Sequence, residues 1–352
     1  MTSTAWQVLI PVFNEWDVVS LLLRRFDDVC QAQGWQLDVL LVDDGSYASH
    51  RELLRLDGLR HIQRVDVLTL GRNLGSQRAI AVGLCWLADH RPNRATLILD
   101  GDGEDDPCDA PALIKTALAD ARQPIVFAAR SRRRESWLFQ LFYRLYQALH
   151  IVVTGSDVRV GNFSFVPARH VRTLCLTSEL WTHYAASVLA SRTPRVLVPT
   201  PRAKRLAGQS KMNFYGLVEH GLGALSIHAP KIAVRGLMVI SVLAILLAVS
   251  TCFSLVLYFS TGNLLAGLFA WNTLTGIVVA IASGIACLAW ALASISLRQT
   301  MAFIPLRDYK WFVLEAESIL GSPLSKDTAS EPMSGKRFDA PQSQVATRGD
   351  RK

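Results

Sequence analysis

Through its first part the chain alternates two kinds of pattern. Nearly unbroken apolar runs fall at 8–12, 37–42, 65–69, 96–99 and 125–129. Runs of that length predict strands buried on both faces. Between them, segments 17–33, 49–56, 76–89 and 110–121 carry apolar residues at helical spacing, which predicts amphipathic helices. Strands alternating with helices predict an α/β fold, a mostly parallel sheet with helices on both faces. In such sheets ligands bind beyond the carboxyl ends of the strands.

Further along, the pattern changes. Between Arg235 and Arg298 there is no Asp, Glu, Lys, Arg or His, and the run is broken once, at Ser260-Thr-Gly-Asn263. Each half exceeds the roughly 20 residues needed to cross a bilayer. Two transmembrane helices are therefore expected, at 237–259 and 265–297, within a membrane region 231–300 that follows a domain at 1–230. Lys231 and Arg235 precede the hairpin, Arg298, Arg307 and Lys310 follow it, and its turn carries no charge. That bias places the domain and both termini in the cytoplasm, with a bacterial inner membrane as the expected location. Segments 137–153 and 213–228 read as interfacial helices, 301–321 as a cytoplasmic juxtamembrane stretch, and 322–352 as a disordered tail. Gly276, Ala280 and Gly284 form a small-residue face that predicts helix packing, including a homo-oligomer through the spans.

The polar motifs fall where the strands end: Phe13-Asn-Glu15, Asp43-Asp-Gly-Ser46, Gly71-Arg-Asn73 and Asp100-Gly-Asp102. Two carboxylates one residue apart present hard oxygens to one divalent cation, and open positions suit Mg²⁺ or Mn²⁺ holding a diphosphate. A plain acidic turn is the alternative for Asp100–Asp106. Four strand ends converging on one edge favour a site. The net charge is +8, but the basic residues flank the apolar run or gather between Glu179 and Glu219. Anionic head groups and a diphosphate explain that placement better than nucleic acid does. The six cysteines are scattered without a C-x-x-C pair, which argues against structural zinc or a disulfide scaffold. The first residues show no basic n-region, so no signal peptide is expected.

Ile10-Pro-Val-Phe-Asn-Glu15, Val42-Asp-Asp-Gly-Ser46, Arg72-Asn-x-Gly75 and Leu99-Asp-Gly-Asp102 follow one another in that order. Together they resemble the catalytic domain of glycosyltransferase family 2, of GT-A fold. The nearest subgroup is the membrane-bound dolichol- or polyprenyl-phosphate sugar synthases, and Arg205-Leu-Ala-Gly-Gln-Ser-Lys211 resembles their R-x-x-G-x-S-K segment. The resemblance implies a nucleotide-sugar donor, UDP- or GDP-linked, and a lipid acceptor in the membrane. It implies that Pro11, Phe13, Glu15 and Asp43 line the base and ribose, with Asp44 beside them. Arg72 and Asn73 would stand near the diphosphate, Asp100 at ribose or metal, and Asp102 as the main metal ligand. Arg205 and Lys211 would close over phosphate.

Two departures stand out. Gly103-Glu104 follows the metal aspartates where many members have an apolar residue and Gln. Gly161-Asn-Phe-Ser164 lacks the arginine of the subgroup's Phe-Arg pair, which weakens the transfer of lipid-phosphate specificity. The expected activity is inverting sugar transfer to polyprenyl phosphate, an acceptor already ionised that needs no base. A glycolipid hydroxyl would need one, and Glu179 is the candidate; a structural carboxylate is its alternative, and His183 nearby reads as structural. A nucleotidyltransferase would want a glycine-rich basic loop after the first strand, which is absent from this sequence. A non-catalytic membrane scaffold derived from such an enzyme is the remaining alternative.

Overall fold

The computed structural model describes residues 6–130, 160–201, 206, 223, 226–300 and 303–324. The interfacial segment 137–153, most of 213–228, the tail beyond 324, and Arg205 and Lys211 lie outside the described residues. Five strands fall on the five apolar runs: β1 (Trp6–Val12), β2 (Leu37–Asp43), β3 (Ile62–Leu70), β4 (Ala95–Ile98) and β5 (Ile125–Arg130). Helices α1 (Trp16–Gln33), α2 (His50–Leu53), α3 (Ser76–His90) and α4 (Ala110–Ala119) occupy the intervals. Three strands were not foreseen: β6 (Val160–Val166), β7 (Arg195–Thr200) and β8 (Val313–Leu320). Between β6 and β7 lie α5 (Ala168–Cys175) and α6 (Tyr184–Ala190).

All eight strands form one sheet, in the order β7-β5-β6-β4-β1-β2-β3-β8. β1, β2, β3 and β4 run parallel, and so do β5 and β7; β6 and β8 pair antiparallel to their neighbours. The fold is α/β with a mostly parallel sheet. Two apolar layers cover its faces. One centres on α3 with Leu9, Leu40 and Leu68, the other on α1 with Val8, Ile10 and Val39. Neighbouring residues of one strand thus point to opposite layers, which is why the central strands are apolar without interruption.

Two long helices follow, α7 (Ala229–Thr261) and α8 (Leu264–Thr300), turning at Gly262 in the left-handed conformation with φ +66°. Lys231–Thr261 and Gly267–Trp290 are long and apolar enough to cross a membrane. A core helix would hide its apolar side chains. Here Met238, Leu246, Phe253, Phe269 and Val279 are exposed. The hairpin is held by close packing and by Thr251 Oγ1 donating to Thr273 Oγ1 at 2.7 Å. A β-carbon on Gly276 would meet Leu247 at 3.2 Å, and one on Gly284 would meet Ile240 at 3.5 Å. The glycines of the small-residue face therefore pack inside the hairpin, where a larger side chain would separate the two helices.

Residues 303–320 do more than leave the membrane. After α8 the chain forms α9 (Pro305–Asp308) and a short turn at Tyr309–Phe312, then lays β8 along the edge of β3. Leu306 and Tyr309 are buried in the α3 layer. Tyr309 Oη donates to Asp89 at 3.0 Å, and Arg51 of α2 pairs with Glu317 at 2.7 Å.

Candidate functional site

The site is built by the loops that leave β1, β2, β3 and β4 on one edge of the sheet, and each is tied to its neighbour. Beyond β1, Asn14 sits at φ +53°, a conformation that Asn tolerates better than most side chains. Its backbone N–H donates to Ser46 Oγ at 2.9 Å, and its Oδ1 accepts the Tyr47 N–H at 2.8 Å. Phe13 packs on Tyr47 with ring centroids 5.9 Å apart. Asp43, at the end of β2, is buried and accepts the Ser46 N–H at 2.9 Å, closing the turn. Ser46 is thus both turn residue and clasp between two loops.

Gly45 is where the β2 and β3 loops touch. A β-carbon there would stand 2.8 Å from the Asn73 nitrogen and 2.9 Å from the Arg72 carbonyl carbon, so only glycine lets Arg72 and Asn73 lie against that turn. Asp44 joins the β2 loop to the start of α3. It is buried, and its two oxygens accept the N–H groups of Leu74 at 2.6 Å and Gly75 at 2.8 Å. Burial lifts its carboxyl to about 6, against those two hydrogen bonds, which favour the ionised form. Asp44 holds the start of α3 in place.

Beyond β4 the acidic run divides its labour. Asp106 pairs with Arg25 of α1 at 2.6 Å and caps the next turn by accepting the Cys108 N–H. Asp105 is buried and accepts the Asp100 N–H at 3.2 Å. These two shape the turn, so the plain acidic-turn alternative is true of them. Asp100 and Asp102 remain partly exposed. Gly101 between them lies so close to β1 that a β-carbon would meet the Pro11 carbonyl oxygen at 2.9 Å. Asp102 Oδ1 accepts the Glu104 N–H at 3.0 Å. Gly103, at φ +76°, leaves room for Leu206, whose side chain a β-carbon would strike at 2.5 Å.

Asn162, which the sequence marked only as a departure, joins Asp100 to two helices. Asn162 on β6 donates from Nδ2 to Asp100 Oδ1 at 2.9 Å and accepts on Oδ1 from Gln77 Nε2 at 3.0 Å. Gln77, in the first turn of α3, accepts the Tyr184 N–H at 2.9 Å. Ser164 Oγ donates to the Asn162 carbonyl at 2.9 Å, so Tyr184 Oη donates to Ser164 at 2.7 Å. Burial keeps the Tyr184 hydroxyl well above the ordinary phenol range, a donor at every working pH. Asp100 is therefore fixed through two amides to α3 and α6. Nothing local in the sequence announces this, because β6 enters the sheet from far along the chain.

Glu179 lies in the turn Ser178–Trp181, half-buried, with Ser178 Oγ donating to its Oε2 at 3.3 Å. Trp181 of that turn packs at a tilt against Phe303 and Phe312, ring centroids 4.5 and 4.7 Å away, and Arg78 of α3 lies over its ring at 5.7 Å. The turn is braced between α3 and the chain returning from the hairpin. His183 caps α6, its Nδ1 accepting the Ala186 N–H at 3.3 Å, the structural role expected of it.

A mostly parallel sheet that carries Asp43, Asp100 and Asp102 at its carboxyl edge places them where open α/β sheets bind their ligands. Residues 7–169, less than half of the chain, match the family model described as Glycosyl transferase family 2, the family that the motifs resemble. The chain is 31% identical, over 217 residues, to an undecaprenyl-phosphate 4-deoxy-4-formamido-L-arabinose transferase of Edwardsiella ictaluri. That match spans 60% of this chain and 63% of the relative. Among solved structures, a mannosyl-3-phosphoglycerate synthase from Rubrobacter xylanophilus is similar with TM-score 0.45 and 14% identity over 63% of this chain and 72% of that one. A mannosyltransferase from Pyrobaculum calidifontis, in complex with GDP-Man and Mn²⁺, gives 0.41 and 14% over 87% and 78%.

Proposed function

We propose that this protein is a membrane-anchored, inverting glycosyltransferase of GT-A type that moves a sugar from a nucleoside-diphosphate donor to polyprenyl phosphate. The observation that carries the reading is the clasped edge itself. Asp43 ends β2 and Asp100 and Asp102 follow β4, the two strands that flank β1, and each carboxylate is oriented by backbone or amide hydrogen bonds. The relative's printed name, a transferase of undecaprenyl phosphate, supports the acceptor class.

Glu15 and Asp43 would accept hydrogen bonds from base and ribose, with Pro11 and Phe13 lining the base. Arg72 and Asn73 would stand at the diphosphate. Asp100 and Asp102 fit a Mg²⁺ or Mn²⁺ ion: two hard carboxylates on one turn, with phosphate oxygens and water completing the shell. Such an ion supplies charge neutralisation as the nucleoside diphosphate departs. Asn162 would keep Asp100 aimed. Arg205 and Lys211 would bring donor and lipid phosphates together, Arg in bidentate fashion and Lys as a point charge. The lipid phosphate, already ionised, attacks the anomeric carbon opposite the leaving group and inverts it. The two apolar helices α7 and α8 would hold the domain at the bilayer where that acceptor resides, on the cytoplasmic face.

Nucleoside-diphosphate release by detergent-purified protein, over UDP- and GDP-sugars with Mg²⁺ or Mn²⁺, tests the proposal. Release that requires polyprenyl phosphate and vanishes in Asp102→Asn is expected. Donor binding with no lipid-stimulated release overturns it in favour of a hydroxyl acceptor, and no donor binding at all in favour of a scaffold.

A further inference from the structure

A second polar cluster lies at the opposite edge of the sheet. Asp38 and Arg64 stand near the amino ends of β2 and β3, His90 and Arg91 at the end of α3, and Arg94 just before β4. With Trp86 they line a cavity of about 450 Å³. Asp38 and Asp43 are five residues apart on one strand, so the cavity and the carboxyl edge are roughly 15–20 Å apart.

The charges in this cavity do not balance. Arg64 donates from Nε to both oxygens of Asp66, at 2.9 and 3.2 Å, and Arg91 donates to the same carboxylate. Arg94 donates to Asp38. Three guanidinium groups thus share two carboxylates. Arg91 is the one left short. Its side chain is 9% exposed, and its Nη1 has no hydrogen-bond partner, with Asp38 Oδ2 4.0 Å away. Burial, together with the repulsion of Arg64, pulls this guanidinium down to about 10. A buried donor without a partner costs on the order of 1–3 kcal/mol, more when charged. The end of α3 accounts for His90, whose Nδ1 bonds the Trp86 carbonyl at 2.9 Å while its ring stacks on Trp86 at 4.6 Å. It does not account for Arg91 Nη1.

We infer that this cavity is a binding site for a small oxyanion of the phosphate class, separate from the candidate transfer site. The anion would be met by Arg91, Arg94 and His90, and its charge would balance the third guanidinium. Phosphate chemistry is favoured because guanidinium groups meet its oxygens in pairs. The ligand could be free phosphate or the head group of an anionic lipid; the chemistry is the same. This site stands on its own residues and does not depend on the transfer reaction.

The test is calorimetric titration of inorganic phosphate into the full-length, detergent-solubilised protein, against chloride at equal ionic strength. A second arm uses nanodiscs with and without phosphatidic acid, reading competition with phosphate. Saturable binding is expected, weakened about tenfold in Arg94→Gln, as loss of one charge-assisted hydrogen bond would give, and less in His90→Gln. Thermal midpoints without phosphate show that the variants fold. Binding by phosphate alone identifies a free anion, and displacement by phosphatidic acid identifies a head group. No saturable binding in either arm, or equal binding by both folded variants, overturns the site. Neither variant touches the carboxyl edge, so a failure here leaves the transferase proposal untouched.

Discussion

Asn162 separates a site from a collection of acidic residues. A lone carboxylate on a turn samples several rotamers; Asp100 has its Oδ1 held by an amide that is itself held by Gln77. Partners of this kind, one shell out from a metal ligand, typically change metal affinity 10–100-fold when removed. Asn162→Ala should raise the Mn²⁺ concentration needed for half-maximal activity about tenfold or more, and should also lower the thermal midpoint in metal-free buffer, because it leaves the buried Gln77 amide without its acceptor. Glu179 tests the acceptor. An ionised lipid phosphate needs no base, so Glu179→Gln should retain transfer to polyprenyl phosphate, whereas a hydroxyl acceptor would lose roughly 10²–10⁴ in rate. Asp44 gives a pH signature. Its carboxyl is raised from 3.8 to about 6 on folding, chiefly by burial. The folded state therefore binds more protons between those values, and this contribution to stability falls as pH rises through that window, then stays level. Melting curves of wild type and Asp44→Asn from pH 4 to 7.5 should show the difference between them shrinking up to about pH 6. A difference that grows over that range would mean the two backbone N–H groups outweigh burial.

At the level of elements, what was legible followed from how each strand is buried. β1 to β5 are apolar runs because both faces are covered, and their order and that of the intervening helices could be read, although β3 starts three residues before the expected 65–69 and α2 ends three residues before the end of the expected 49–56. β6, β7 and β8 were not read, each for a physical reason. β6 carries Asn162 and Ser164 in the buried polar relay, so it lacks a clean apolar run. β7 is an outer strand with alternating exposure. β8 is another edge strand, separated from its partner β3 by the whole membrane hairpin, and no local pattern tells where a distant segment docks. The motif residues at the ends of β1 to β4 were legible for the same reason as the strands. That Asp44 holds the N–H groups of Leu74 and Gly75 was not legible, because a sequence shows two adjacent carboxylates without showing which backbone groups each one meets. The return segment is expected to be part of the domain's core. Leu306→Ala should cost about 2–5 kcal/mol, the range for deleting a buried leucine, and should lower the melting temperature of the α/β domain although Leu306 follows the hairpin in sequence. No effect would mean that β8 and α9 rest on a core complete without them.

For the whole molecule, the hairpin and the domain are joined at both ends. The chain enters α7 from the domain and comes back through Phe303 and Phe312, which pack on Trp181 next to Glu179. Because Gly276 and Gly284 are used within the hairpin, the expected oligomer contact through that face loses its main support. The central claim concerns what receives the sugar, and mass spectrometry of the lipid phase reads it directly. Purified protein is incubated with nucleotide-sugars, a divalent cation, undecaprenyl phosphate and a neutral glycolipid. A new species of mass equal to undecaprenyl phosphate plus one glycosyl unit, absent with Asp102→Asn, is the predicted result. Sugar found on the glycolipid hydroxyl, with undecaprenyl phosphate unchanged, would contradict it.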